Sequence, residues 1–397
     1  MNTCVEGSGR WADPASGAAA RIEIRPDVLR QNFTVLRGLC AEHDIAISGV
    51  TKGVGGHPDV ARLMLDAGIH SLADARLENI RRMRIAGITA PIHLLRPPGL
   101  GEIADAVRLT DLIFVSNRTT IDAIAHHARA SGSTMKIAPM VDLGDLREGV
   151  SPGDLLELID HAHALEGVEI TGLGTNFACH TGLLPTRENL AVFAGLTEQV
   201  ENRIGRALET VSGGNSASLL AMRRGDFPPK ITHLRLGESL LFGIEVAQGT
   251  AIPGTRRDGF IIAAEILETW DRDTDPSAPR TRNALGEEVT LTVSGRRHMA
   301  VLGIGAVDTT IRDLAPVDPD VTLLGFSSDH TVIDISNARA FRPGDVLRFV
   351  PSYSALATAM SSPYLYSVEF GGGRGSHGTA PRIEALSNGD GKRFDPA

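Results

Sequence analysis

The sequence predicts an α/β protein, a (β/α)8 barrel followed by a mostly β C-terminal domain. Three observations lead there. From residue 45 to about 240, short apolar runs alternate with longer segments of helical period. Eight such runs fall within about 200 residues, the count and size of a barrel. After about residue 245 the alternation stops, and strand-like runs separated by turn residues take over.

Taken in order, residues 1–20 open with "MNTCVEGSGRWADPASG", which has neither an apolar signal core nor an Arg-rich transit pattern, and read as a loose tail. "ARIEIRPDVLRQNFTVLRGL" supplies one strand and one helix ahead of the barrel. The eight runs are "IAISGV", "IHSLA", "IHLLR", "LIFVS", "MKIAPMVDL", "VEITGLG", "LETVSGG" and "THLRLG". Between them, segments such as "PDVARLMLDAG" and "ENLAVFAGLTEQVENRIGRAL" place apolar residues at i, i+3, i+4 and i+7. Such alternation gives a parallel sheet covered by helices. An open doubly wound sheet competes, but eight regular units favour closure. The barrel with its lead-in strand and helix is expected over residues 21–244, and the β domain over residues 245–371. Residues 372–397 are Gly-rich and polar and read as a flexible tail.

With 397 residues, 42% of them hydrophobic, the chain can bury a large core in about two domains. Its net charge is −9 and no basic tract appears, which argues against nucleic acid as a partner. No apolar run approaches the roughly 18 residues of a membrane span. Three widely spaced cysteines, Cys4, Cys40 and Cys179, point to a reducing, cytoplasmic setting.

In a barrel of this kind functional groups sit at the C-terminal ends of the strands. Lys52, one of four lysines in the chain, ends the first run and is followed by glycines at 53, 55 and 56. Dehydration there lowers an ammonium's pKa and suits it to imine formation, whereas a snorkelling rim lysine is the plain alternative. Asn215 and Ser216 follow the seventh run at a helix start, a place for phosphate or for an ordinary cap. Arg235 lies inside the eighth run, where an unpaired charge is costly, so it needs a partner or a ligand. Gly237 and Glu238 follow it. Arg147 stands past the fifth run, and Asn176, Cys179 and His180 past the sixth.

These stretches resemble the fold-type III pyridoxal-phosphate enzymes, with an alanine racemase-like barrel and β domain, and are most similar to the ornithine racemase-like branch. The carriers, in family order, are "VTKGVGG", "SLADARLENI", "LLRPP", "MVDLGDLREG", "GTNFACHTG", "SGGNSASL", "LRLGESLLFG", "SSDHTVIDI" and "YSALATAMSSPY". They run from about residue 46 to 366. The resemblance implies that Lys52 forms the internal aldimine and Arg235 faces the pyridine nitrogen. Arg147 then lies near the phenolic oxygen. Ser216, the backbone of Gly237 and Glu238, and Tyr353 then hold the phosphate, Asn215 beside Ser216 counts as cofactor-binding, and Asn176 borders the ring. Ser328 and Asp329 are the loop that a partner subunit offers to the substrate carboxylate, in a homodimer with shared active sites.

The departures are specific. Asn176 replaces the histidine that stacks on the ring, Met140 replaces an often carbamylated lysine, and the tyrosine of the first barrel strand is absent near Gly55. Ala306 stands where alanine racemase has its second acid/base tyrosine, with Asp308 two positions on. Racemisation needs a proton removed from one face of Cα and returned to the other. Lys52 serves one face. For the other, Cys179 ranks first because a thiol exchanges protons near neutral pH, and Asp308 second. Tyr364 and Tyr366 are read as β-domain packing, and Arg96 as touching substrate, cofactor or an acid such as Asp74.

The expected function is a pyridoxal-phosphate-dependent amino-acid racemase or epimerase, acting on ornithine or another cationic amino acid, with no metal. The alternatives are a changed reaction on the same scaffold, a decarboxylase or an aldolase, and a non-catalytic cofactor-binding protein. The absence of any cysteine after Cys179 weighs against the decarboxylase, and the β domain weighs against the carrier.

Overall fold

The structure, a computed structural model, describes residues 19–369 except 284, 289, 290 and 292. The expected tails lie outside the described residues, Cys4 with them, save that Ala20 already begins the first strand.

The chain opens with β1 (Ala20–Ile24) and α1 (Pro26–Ala41). The barrel strands follow as β2 (Ala46–Val50), β3 (Ser71–Asp74), β4 (Ile92–Leu94), β5 (Leu112–Val115) and β6 (Met135–Val141). The sixth is broken at Thr171 into β7 (Val168–Ile170) and β8 (Gly172–Thr175), and β9 (Thr210–Asn215) and β10 (His233–Leu236) complete the set. All neighbours are parallel, and the β5–β6 and β10–β2 pairings close the ring. Each of the eight apolar runs carries one barrel strand, because strands covered on both faces need apolar residues throughout. The helices are α2 (Pro58–Asp66), α3 (Leu77–Ile85), α4 (Ile103–Leu109), α5 (Arg118–Ala130), α6 (Leu155–His163), α7 (Arg187–Ile204), α8 (Leu219–Arg223) and α9 (Glu238–Phe242).

The barrel interior is divided. Leu112, Phe114, Ala138 and Met140 form an apolar cluster on the β5–β6 side. It presses against β8, where a Cβ on Gly174 would lie 2.6 Å from Met140 Sδ and 2.9 Å from Phe114 Cε1, so only glycine fits. Opposite, the buried residues Ser48, His93, Ser212 and His233 supply a polar half.

A short hairpin of β11 (Ile244–Glu245) and β12 (Thr250–Ala251) leads to the second sheet. Its elements are β13 (Phe260–Thr274), β14 (Gly295–Leu302), β15 (Leu314–Pro316), β16 (Thr322–Phe326), β17 (Thr331–Asp334), β18 (Val346–Pro351) and, after α10 (Tyr353–Ala359), β19 (Tyr366–Glu369). The long β13 is the spine, pairing antiparallel with β1 and β18 along its first half and with β14 along its second. The lead-in strand, grouped above with the barrel, is therefore a strand of the β domain: β1 pairs with β13 and β19. Sequence proximity suggested one partner, and the sheet edge supplied another. Tyr366 lies in β19, whereas Tyr364 is 67% exposed in the turn before it, so the packing expected of Tyr364 is not found among the described residues.

Helix α1 buries Val28, Leu29, Phe33 and Leu36 on one face, and also Asn32, which is 0% exposed. Asn32 Nδ2 donates to Arg256 O and its Oδ1 accepts from Arg256 N, both at 2.8 Å, tying α1 to the segment that enters β13. Arg25 and Arg256 both pair with Asp258 beside it. No helix among the described residues is long and apolar enough to cross a membrane.

Asn32→Leu keeps the branched shape but strands two part-buried backbone groups, so urea unfolding should show a loss of about 1–3 kcal/mol. A loss below about 0.5 kcal/mol would contradict this role.

Candidate active site

A cavity of about 400 Å³ opens at the C-terminal ends of the barrel strands. Each loop contributes in turn: Lys52 after β2, Arg147 after β6, Asn176 and Cys179 after β8, and Asn215 and Ser216 at the end of β9. Arg235 comes from β10 itself, Gly237 and Glu238 from the turn into α9, and Tyr353 from α10 in the β domain. Ten of the thirteen residues named from the sequence thus share one cavity.

Lys52 starts a single 3-10 turn (Lys52–Val54), and its ammonium has no hydrogen-bond or ion-pair partner among the described residues. The turn is fixed from behind. Thr51 Oγ1 donates 2.7 Å to Asp74 Oδ2, while the other carboxylate oxygen accepts from Arg76 N and Asn79 Nδ2. Burial raises the Asp74 pKa, and its hydrogen bonds from Thr51, Arg76, Asn79 and the Ala75 backbone only partly offset that. In front, the Tyr353 ring lies on Gly53, where an added Cβ would be 2.7 Å from Cε2. The first glycine after the lysine is thus required by a residue 300 positions away. Burial, then Glu238 and Asp74, push the Tyr353 pKa up, so its hydroxyl acts as a donor.

Arg235 is 6% exposed. It donates to Ser212 Oγ, to Thr175 O at 2.8 Å and to Asn176 Oδ1 at 3.4 Å, and its guanidinium lies 4.9 Å from the Phe114 ring centroid. It forms no ion pair among the described residues. Burial lowers its pKa to about 10, which leaves it charged at neutral pH.

Asn176 and Asn215 are laced together. Asn215 Nδ2 donates to Asn176 Oδ1 at 3.0 Å and to Phe177 O at 2.7 Å, and reaches Cys179 Sγ at 3.5 Å. Asn176 Nδ2 donates to Asp145 Oδ2 at 3.0 Å. Asp145 Oδ1 also accepts the backbone N–H groups of Cys179, His180 and Thr181 at 3.1, 3.1 and 3.4 Å. One buried carboxylate therefore binds the loop after β6 to the loop after β8. Burial alone would raise its pKa, but the donors from His180, Asn176, Cys179 and Thr181 outweigh burial and hold it below the usual value. The adjoining backbone is strained, with φ of 53° at Leu146 and 49° at Ala178. Arg147 is paired with Glu148 at the cavity wall.

Ser216 Oγ lies 3.3 Å from both Gly237 N and Ser239 N. The Ser239 hydroxyl beside it is fully buried and has no partner among the described residues. This cluster of donors, with an orphaned hydroxyl, fits the phosphate end of the cofactor that the resemblance implies. Glu238 borders the same place with no partner among the described residues, and burial raises its pKa.

Three named residues lie elsewhere. Asp308 is 7% exposed, and its carboxylate accepts Gly305 N at 2.9 Å, closing a turn in the β domain. Val307 N donates to Ser328 O, and Ser328 Oγ to Asp329, so Asp308, Ser328 and Asp329 form one cluster away from this chain's cavity. Arg96 does line the cavity and pairs with Glu102 rather than Asp74. Sequence reading missed Asp145 and Glu148. Asp145 carried a signal, an aspartate directly after Gly144 just past a strand end, but its three backbone donors come from another loop.

Asp145→Ala should cost about 2–4 kcal/mol of unfolding free energy. Because the native pKa is depressed, this contribution is complete at neutral pH and fades only as pH falls below the ordinary 3.8 and through the native value. An unchanged urea midpoint at pH 7 would contradict the assignment.

The sequence profile of the alanine racemase N-terminal domain matches residues 24–245. The chain is 35% identical to a lysine racemase from Thermotoga maritima, over 88% of this chain and 98% of that one. It is 32% identical to an ornithine racemase from Acetoanaerobium sticklandii, over 87% and 98%. The crystal structure of alanine racemase from Streptomyces lavendulae superposes with a TM-score of 0.69 at 23% identity, covering 90% of this chain and 98% of that one. The chain belongs to the alanine racemase family and is an amino-acid racemase.

Proposed function

We propose that the protein interconverts the enantiomers of an amino acid with a cationic side chain, lysine or ornithine, with pyridoxal 5'-phosphate bound in the barrel cavity. The observation that carries this reading is that Lys52, without a partner among the described residues, shares the cavity with a buried Arg235 that forms no ion pair among them. Such a cavity calls for an anionic ligand. The substrate class is supported by the nearly full-length similarity to the lysine and ornithine racemases and by Glu238, whose carboxylate, unpaired among the described residues, borders the cavity and suits a distal ammonium.

When bound, pyridoxal phosphate supplies an electron sink that makes the Cα–H of an attached amino acid acidic. Lys52 supplies the amine that holds it and then takes or returns the Cα proton on one face. Ser216, Asn215, the N–H groups of Gly237 and Glu238, and the Tyr353 hydroxyl hold the phosphate. Arg235 would hold the ring nitrogen side of the cofactor with a charged donor, an arrangement that would favour proton return over transamination. Arg147 and Asn176, which line the same cavity, would border the ring. Cys179 serves the second face: its thiol lines the cavity beside Asn215 Nδ2. Asp308, Ser328 and Asp329 act in a homodimer, where a partner's β domain completes the cavity. The free Cys40 and Cys179 accord with a cytoplasmic protein.

The test is Cα exchange in D2O with single enantiomers of lysine, ornithine, alanine and glutamate, following deuterium and chirality together. Exchange with inversion for lysine or ornithine is expected. Inversion of alanine alone would overturn the substrate class, and Cys179→Ser should slow exchange from one enantiomer more than from the other.

A further inference from the structure

Beneath Arg235 the barrel core is hydrogen-bonded. Arg235 Nη1 donates to Ser212 Oγ, which lies 3.0 Å from His233 Nδ1. His233 Nε2 is 2.8 Å from Ser48 Oγ, and Ser48 Oγ in turn meets Ser71 Oγ at 2.7 Å and His93 Nδ1 at 3.1 Å. Five strands contribute, β2, β3, β4, β9 and β10. Ser48 and Ser212 are 0% exposed, His233 5% and His93 9%. None of these four side chains lines the cavity.

The direction of the chain follows from counting protons. Burial holds both rings neutral, His93 near a pKa of about 4 and His233 well below the ordinary value, and Arg235 disfavours a second cation at either ring. A neutral ring has one donor and one acceptor nitrogen. If His233 Nδ1 carried the proton, the Ser212 O–H would have no acceptor among its partners, because Arg235 only donates. With the proton on Nε2, each of these bonds has one donor and one acceptor. Ser212 donates to Nδ1, and Nε2–H donates to Ser48. Ser48 donates to His93 Nδ1, and Ser71 donates to Ser48. The lone pairs of Ser212 are then left for the guanidinium.

We propose that His233 is a positioning residue for Arg235: by accepting the Ser212 hydroxyl it turns that oxygen's lone pairs onto the guanidinium and holds it in place with a neutral partner. A carboxylate would hold the arginine equally well but would cancel its charge. The neutral chain leaves the full charge facing the cavity. This inference rests on the reading of Arg235 as the group that meets the cofactor ring.

The test separates the two ring nitrogens. In His233→Asn the amide can replace Nδ1 and keep the Ser212 bond. In His233→Gln it reaches toward Nε2 and Ser48 and loses Ser212. The apo-protein would be titrated with pyridoxal phosphate, reading the dissociation constant, the absorption maximum of the bound cofactor and the thermal midpoint. His233→Asn should bind within about threefold of the parent with an unchanged maximum. His233→Gln and Ser212→Ala should bind about tenfold more weakly or worse, with a shifted maximum. If His233→Gln lowers only the thermal midpoint, or if Asn and Gln behave alike, the positioning role is wrong. Should His233→Gln not fold, Ser212→Thr against Ser212→Ala makes the same comparison, since threonine keeps the hydroxyl. Arg235→Lys is the control for the underlying reading. If it leaves affinity and spectrum unchanged, the reading of Arg235 fails. If it changes them while His233→Gln does not, only the inference fails.

Discussion

Arg235 carries a permanent charge in the floor of the barrel, 6% exposed and without a carboxylate partner among the described residues. The rest of the site is arranged around that constraint. A buried guanidinium must be hydrogen-bonded, and here all its acceptors are neutral: a serine hydroxyl, a backbone carbonyl and an asparagine carbonyl. Each acceptor is itself held. Asn176 is fixed by Asn215 and Asp145, and Ser212 by His233. The one cavity-lining arginine that is buried is thus positioned from two sides without being neutralised.

The second element is how the β domain reaches the barrel. α10 packs against the Lys52 turn and lays Tyr353 on Gly53 at a distance no side chain would allow. β1, though first in the chain, belongs to the same sheet as β13 and β19. Lys52 is therefore framed by Asp74 behind and Tyr353 in front, so the two domains meet at its turn.

Much of this was legible in the sequence, for physical reasons. Parallel barrel strands are covered on both faces and leave continuous apolar runs, and a lysine or arginine interrupting such a run is conspicuous because burying it is costly. Lys52 and Arg235 were found that way. Asp145 was not, because its value lies in three backbone N–H groups of a loop more than thirty residues on. His233 and Ser212 were hidden for a similar reason: a histidine or serine in a strand gains its meaning from which residues face it across the barrel. β1 was misplaced because strand partnership is not a matter of sequence proximity. Asp308, Ser328 and Asp329 were named as site residues, yet they cluster apart from this chain's cavity.

The central claim is that Lys52 is the amine on which the cofactor is carried. Reductive trapping tests it most directly: the protein loaded with pyridoxal phosphate is treated with borohydride, digested, and searched by mass spectrometry for the phosphopyridoxyl group. The account predicts that label on the peptide containing Lys52 and on none containing Lys136, Lys230 or Lys392. Label on another lysine, or loading without any lysine adduct, would contradict it.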